Sequence, residues 1–480
     1  MSRHAEILKA LSGIVGEDKV TDSELVLLTY SYDIGGLTTP SDLGGEPEFV
    51  VMPDTVEEIQ AVLRYANKNK LAVTPFVSGA NMGGLAVPLE GGIILDLHKM
   101  NKIIEINEDL NYVIVEPGVT FGMLERELRD KGLWIPVPMA PPAAASVVGN
   151  VLLAGIGHVS GKYGNQAELL NGVEAVLPTG ELTRAGTCAI SPYWCGRFPI
   201  PDLTSLFVGW MGTTGIVTKM SVAVYQRPAY QDVVTVGFDD YDEAVFDFMI
   251  PWQRLEICHD VTGITWSFGA IQKMHHPLPP KPKDEPLLYV YTQLGGVSEK
   301  DIQHKKDILD DFITSQKKKG KLGTIREVEM LPELKNARID VPNPYGGLFG
   351  NYKRGGLFWV GSFTPASRWP ETLRRADEIM ISYNMPPATR VSMFRGSHYG
   401  MLRSIAGYDS GNPEELKRMR AMGVELVNAI LDNGGLIYKA PTWAVDEMIK
   451  RADPGYLNTI KLIKGTLDPN RILNPGRWGL

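Results

Sequence analysis

The sequence predicts an α+β fold divided over two or three domains, and three observations point there. The chain has 480 residues, more than one hydrophobic core usually serves. Strand and helix patterns are mixed rather than strictly alternating, as an all-parallel doubly wound sheet would require. The segment LAVTPFVSGANMGG, residues 71–84, runs from an apolar strand into a glycine-rich loop, and GGIILDLHKM continues as a second strand. The commonest phosphate loops would open a helix at that point.

The elements follow in chain order. Residues 54–70, DTVEEIQAVLRYANKNK, place Ile59, Val62, Leu63 and Ala66 on one face, with Asp54 or Thr55 to cap and two glutamates in the first turn. Strands are expected at 92–96 and 112–116, then a helix from Thr120 to about Lys131 stopped by Gly132 at its C′ position. Residues 142–164 are nearly free of charge and rich in Gly, Ala and Ser, suited either to backbone lying against a large flat ligand or to a tightly packed helix. GVEAVLPTGELTRAG reads as a hairpin turning at Pro-Thr-Gly, and TTGIVTKMSVAVY as a β-branched strand ending before Pro228, where a domain boundary is placed. From about 229 to 440, short strands (VVTVGF, LLYVYTQLGG, GLFWVGSF) alternate with helices at 301–318, 370–383 and 413–433, an α+β second domain. A helix-rich tail covers 443–480.

Composition narrows the chemistry. Charged residues are 22% and hydrophobic residues 44%, with a net charge of −8, which argues against disorder and against nucleic-acid binding. Small molecules or proteins are the expected partners. The basic run Lys317 to Lys321 reads as a solvated helix end. Cys188, Cys195 and Cys258 show no CxxC or Cys/His spacing, so neither a disulfide framework nor a metal site is expected, and reduced cytoplasmic thiols are the simpler reading. The N-terminus lacks a cleavage-site pattern, and no stretch reaches 18 uninterrupted apolar residues, which points away from secretion and from membrane spanning.

The loop at 78–84 can cradle a diphosphate on consecutive N–H groups, because Gly79, Gly83 and Gly84 tolerate positive φ and close approach. A plain turn is the competing reading. The succession PFVSGANMGG, IILDLHKMNKIIEIN, VEPGVTFGMLERELRDKGL, SVVGNVLLAGIGHVSGKYGNQAELLNGVEAVLPTGELTRAG, LFVGWMGTTGIVTKM and LDPNRILNPGRWG resembles the FAD-linked oxidases of the vanillyl-alcohol oxidase and p-cresol methylhydroxylase family. The likeness is close over 20–228, good over the last forty residues and loose between them.

That resemblance implies FAD as cofactor, held by a two-part domain of 1–228 and 440–480, with 229–439 as an α+β cap over the isoalloxazine ring. Residue by residue, Val77, Ser78, Gly79, Ala80, Asn81 and Met82 match the pyrophosphate loop. Ser146, Gly149, Asn150, Gly157, His158 and Gly164 match a second flavin-contacting stretch, and Ile216 and Val217 the strand at the adenosine end. Asn474 and Arg477 lie in the segment that returns to the cofactor. At the ring the cap should supply a cation or donors for negative charge near flavin N1 and groups that orient the substrate. Tyr438 and Lys439 look like the family's Tyr-Arg pair, with a point charge replacing a bidentate fork. Gly84 stands where a first tyrosine is expected, and VPMAPPAAAS lacks the family's carboxylate, so the phenol clamp is incomplete. His398 lies near the linking histidine of relatives with covalent flavin, leaving covalent attachment open, and Arg395 and Tyr399 flank it as candidate ligands for a carboxylate or hydroxyl. His275 and His276 read as surface residues of a proline-rich loop.

The implied activity is hydride removal from an aromatic, 4-hydroxybenzyl or alkylphenol-like, or alcohol substrate to flavin N5. Alternatives are a 2-hydroxy acid dehydrogenase of the glycolate or D-lactate type, and a non-catalytic flavoprotein subunit of an electron-transfer complex. A cytochrome or electron-transfer flavoprotein as electron acceptor, and a homo-oligomeric state, complete the expectations.

Overall fold

A computed structural model describes residues 2–33, 45–137, 142–271, 278–330, 332–339 and 356–480. His275 and His276 lie outside the described residues. Three sheets carry the architecture. The first orders the strands Val20–Thr21, Phe49–Val51, Ile93–Asp96 and Val73–Phe76, the last three parallel. The helix Val56–Asn69 provides the crossover, with Thr55 Oγ1 accepting from Glu58 N and Ile59, Val62, Leu63 and Ala66 buried on the sheet. Parallel neighbours need such a crossover.

The second sheet is antiparallel, in the order Ile103–Asn107, Tyr112–Val115, Ile216–Ala223, Leu170–Val176 and Leu182–Gly186. Its last pair is the hairpin read from the sequence, turning at Gly180 with φ +83°. Thr120 caps the helix Phe121–Arg129, and Gly132 follows it at φ +66°.

The third sheet has eight strands among the described residues, from Arg326–Glu327 through Tyr230–Phe238, Leu288–Gly296, Asp260–Thr265, Thr389–Met393, Tyr399–Tyr408 and Gly356–Pro365 to Leu436–Ile437. All its pairs are antiparallel. The helices Glu299–Lys318, Trp369–Ser382 and Pro413–Asp432 pack on it.

The tail divides its packing. The helix Thr442–Ile449 buries Ala444, Val445 and Met448 in the core of the large sheet, whereas Ile472 and Leu473 enter the core of the first sheet. There Val73 N donates to Ile472 O (2.7 Å) and Asn474 N to Val73 O (2.8 Å), extending the strand edge by one bridge. Asp468 fixes this approach: buried, it accepts from Ile472 N, Leu473 N and Lys464 Nζ at 3.0, 2.9 and 2.5 Å. Among the described residues no helix is long and apolar enough to cross a membrane, and no three His, Cys, Asp or Glu side chains gather as a metal site. The three cysteines are free, with Cys195 exposed.

Candidate active site

A cavity of about 280 Å³ lies where the three sheets meet. The first sheet contributes the loop that leaves Val73–Phe76: Val77, Ser78, Gly79, Ala80, Asn81 and Met82 all line it. Gly79 holds φ +60° and Gly84 φ +65°, conformations that an L side chain seldom adopts. Among the described residues, the backbone N–H groups of 78–82 donate to no protein acceptor, while Asn81 Oδ1 accepts from Gly83 N (3.1 Å) and gathers the far end of the loop. A row of free N–H groups on glycine-rich backbone is what a diphosphate needs.

Two further segments complete that wall. Ser146, which donates its N–H to Ser78 Oγ (3.2 Å) and accepts from Gly149 N (3.0 Å), ties the loop to the short helix Val147–Leu152. Ser146, Gly149 and Asn150 line the cavity, and the Asn150 side-chain oxygen is buried without a protein partner, an orphaned acceptor of the kind a bound group satisfies. Ile216 and Val217 line it from the second sheet.

The large sheet supplies the opposite wall. Trp359, Phe268 and Tyr438 present aromatic surface, with Arg390, Arg403 and Lys439 beside them. Arg390 and Arg403 are directly paired across adjacent antiparallel strands. Arg403 Nη2 donates to Tyr438 Oη (2.8 Å). Arginine only donates, so the Tyr438 hydroxyl keeps its own hydrogen for another acceptor. Lys439 sits at φ +50°, and its carbonyl meets Gly83 so closely that a Cβ there would stand 2.4 Å from the oxygen. Burial first, then Arg403, bring the Lys439 ammonium down to about 8.

His158 also lines the cavity, almost wholly buried. Arg338 Nη1 lies 3.2 Å from its Nδ1 and must be the donor, which puts the ring proton on Nε2. Burial, with Arg390, Arg338 and Arg403 around it, keeps the imidazole neutral. Asp260 lies behind, 3.7 Å from His158 Nδ1, and burial lifts its carboxyl to about 7 against the pull of Arg390. Of the described residues that line the cavity, none is an aspartate or glutamate.

Not every expected residue lines this space. Arg395 is exposed and paired with Glu168 (2.7 Å), His398 is exposed, and Tyr399 packs edge-on against Phe363 and Phe394. The turn joining the two arginine-bearing strands holds Gly396 at φ +90° and Ser397 at +55°; Ser397 is buried and accepts from Arg254 Nε (3.3 Å), while Arg395 and His398 are exposed. Gly157 and Gly164 lie beyond the lining. Asn474 and Arg477 also stay outside it and brace the glycine loop instead: Arg477 Nη2 donates to Gly84 O (2.5 Å) and Val87 O (2.6 Å), and Asn474 Nδ2 to Met211 O (2.6 Å). Arg390, Arg403, Arg338, Trp359 and Phe268 were not foreseen. Two arginines in otherwise apolar strands, ATRVSMF and YGMLRSIAGY, were the available signal.

Residues 47–186 match the family described as FAD binding domain, and residues 349–478 match FAD linked oxidases, C-terminal domain. The flavoprotein subunit of 4-cresol dehydrogenase (hydroxylating) from Pseudomonas putida is 27% identical over 90% of this chain and 88% of its own length. A probable mitochondrial D-lactate dehydrogenase from Danio rerio is 25% identical over 90% of this chain and 84% of its own. A crystal structure of p-cresol methylhydroxylase with substrate bound superposes with a TM-score of 0.87 at 26% identity, covering 99% of this chain and 96% of that one.

Proposed function

Because the chain belongs to the FAD-linked oxidases of the vanillyl-alcohol oxidase and p-cresol methylhydroxylase type, an oxidoreductase whose cofactor is FAD, we propose that its substrate is an aromatic, 4-hydroxybenzyl-like compound. The observation that carries this reading is the cap wall, where Trp359, Phe268 and Tyr438 surround donors and, among the described residues, no carboxylate.

Residues 78–82 would hold the pyrophosphate on free N–H groups, and Asn150 would present its orphaned oxygen to the cofactor. Bound FAD supplies a two-electron acceptor that takes hydride at N5. The protein's own part is to place the substrate and stabilise an anion. The aromatic wall stacks the ring. The Tyr438 hydroxyl, its oxygen already accepting from Arg403, donates to a substrate oxygen, and Lys439 adds positive charge beside it. Opposite charge within a few ångströms favours the ionised phenol, often by one to three pKa units, which makes electrons available for hydride departure. His158 offers an Nε2–H donor. Tyr438 and Lys439 thus form the substrate clamp, and Arg395, His398 and Tyr399 stand apart from it. With His398 exposed, non-covalent FAD is the mode we favour. An electron-accepting partner protein fits a relative named as a flavoprotein subunit.

Anaerobic mixing of the yellow holoprotein with 4-hydroxybenzyl alcohol and 4-ethylphenol should bleach the visible absorption band of the flavin. Bleaching by aliphatic alcohols or 2-hydroxy acids with no response to any phenol would overturn the reading.

A further inference from the structure

We propose that Arg403 is the positioning residue of the substrate clamp, an assignment that rests on the reading above: it makes the Tyr438 hydroxyl a donor aimed at the substrate, and acts on the substrate only through Tyr438 and its neighbour Lys439.

The strand Gly356–Pro365 prepares the contact. Trp359, Gly361 and Phe363 alternate along it and so share one face. Arg403, on Tyr399–Tyr408, is the direct partner of Gly361, which puts its side chain on that same face. With no side chain at 361 a slot opens beside Arg403, and the Tyr438 ring fills it: a Cβ on Gly361 would stand 2.6 Å from Tyr438 Cε1. Tyr438 N donates to Gly361 O (3.1 Å), Phe363 stacks on the ring with centroids 4.6 Å apart, and Trp359 meets it edge-on at 5.2 Å. Packing therefore decides where the hydroxyl lies.

That place is beside Arg403, whose Nη2 donates to Tyr438 Oη (2.8 Å) and is its one partner among the described residues. The guanidinium is itself set over Trp359, its central carbon 5.1 Å from the ring centroid. Arginine only donates, so the hydroxyl hydrogen cannot turn toward it. Tyr438 lines the cavity, and the hydrogen is left for an acceptor that a ligand brings. A side chain with an acceptor of its own at 403 would draw that hydrogen back.

The same guanidinium bears on Lys439, which burial first and then Arg403 bring down to about 8. The other charged or titratable side chains on this cavity are Arg390 and His158, with Asp260 and Arg338 behind His158. The glycine loop meets Lys439 with backbone, at Gly83.

The test compares Arg403→Met, Arg403→Gln and Arg403→Lys holoproteins, each alone and in a Tyr438→Phe background. Measured below pH 8, where Lys439 is charged, flavin reduction at saturating 4-hydroxybenzyl alcohol should slow roughly ten- to a hundredfold in the two neutral variants, the scale of a misplaced contact. Arg403→Lys, still only a donor, should recover part of the rate. With Tyr438→Phe already present, the same substitutions should slow it by less than about threefold, because the group they position is gone. A pH titration of substrate-free holoprotein, read by the flavin spectrum, adds a readout that packing alone would not move. The Lys439 inflection, identified by its absence in Lys439→Met, should rise from about 8 in both neutral variants and stay near it in Arg403→Lys. A full rate penalty in the Tyr438→Phe background, or an inflection unmoved in both neutral variants, overturns the assignment. The two readings fail separately. If phenols leave the flavin oxidised while a 2-hydroxy acid reduces it, and the penalty with that acid still vanishes in Tyr438→Phe, the aromatic substrate falls and Arg403 keeps its role. If phenols reduce the flavin and the penalty persists without the hydroxyl, Arg403 loses its role and the aromatic substrate stands.

Discussion

Lys439 holds its charge under tension. Burial and the neighbouring Arg403 bring it to about 8 from an ordinary 10.5, so the cation present below pH 8 is lost within a range where the protein can be assayed. The rate of flavin reduction by a phenolic substrate should therefore fall as pH rises through about 8. Lys439→Met should lower the rate roughly 10- to 100-fold and abolish that inflection, as removal of a charge acting on the transition state does. Stopped-flow reduction across pH 6.5–9.5 (about three units around the midpoint) measures both. The stability sign runs the other way: a folded pKa below the unfolded one means that the burial penalty is present below pH 8 and relieved as pH rises toward 10.5.

Tyr438 and Lys439 were legible because LIYKAPT keeps a local pattern. The arginines were not, because what makes Arg390 and Arg403 a pair is a cross-strand register thirteen residues apart in sequence, and an isolated arginine in a strand ordinarily faces water. The expectation instead fell on the turn between them, at Arg395, His398 and Tyr399, of which Arg395 and His398 are exposed and Tyr399 packs on Phe363 and Phe394.

At the level of elements, the C-terminal segment acts on the cofactor loop without lining the cavity. Arg477, buried, satisfies the carbonyls of Gly84 and Val87, while Gly84 N donates to Asp33. Arg477→Met takes the side-chain donor from the Val87 carbonyl, at about 1–3 kcal/mol, while Gly84 O keeps the Val87 N–H at 3.0 Å. The variant should both unfold at lower denaturant concentration and release FAD more readily on dilution. Retained FAD affinity with lowered stability would separate the brace from the loop's function.

Helices were read well because caps and 3.6-residue periodicity are local: 54–70 was expected, and Val56–Asn69 is found. The strands Asp260–Thr265 and Thr389–Met393 escaped because both faces of each are buried, which erases the alternation that marks a half-exposed strand. The tail was expected to return to the cofactor domain as one piece, yet the helix Thr442–Ile449 shares the core of the large sheet.

Across the whole molecule, the fold class could be read from sequence, while which side chains of the three sheets face one cavity could not, since that depends on packing between residues hundreds of positions apart. The cap also carries a pH signature. Asp377, which accepts the Tyr241 hydroxyl at 2.7 Å, and Asp260 are each lifted to about 7 by burial. Their folded values exceed the ordinary 3.8, so their contribution to stability is full below about pH 4 and is lost as pH rises through about 7. Melting temperature should thus decline between about pH 4 and 7 and level off above it, and Asp377→Asn should flatten that slope. A slope unchanged in the variant would assign the decline elsewhere.

The contact between Gly83 and the Lys439 carbonyl joins the two walls of the cavity at one backbone seam. A cap borrowed from a relative to alter substrate choice would have to reproduce the left-handed turn at its own equivalent of Lys439, or else meet a glycine shaped for a different neighbour. Modular exchange of caps therefore has to preserve this point of backbone fit, and a library of chimeras should include the residues on both sides of it as one transferable unit.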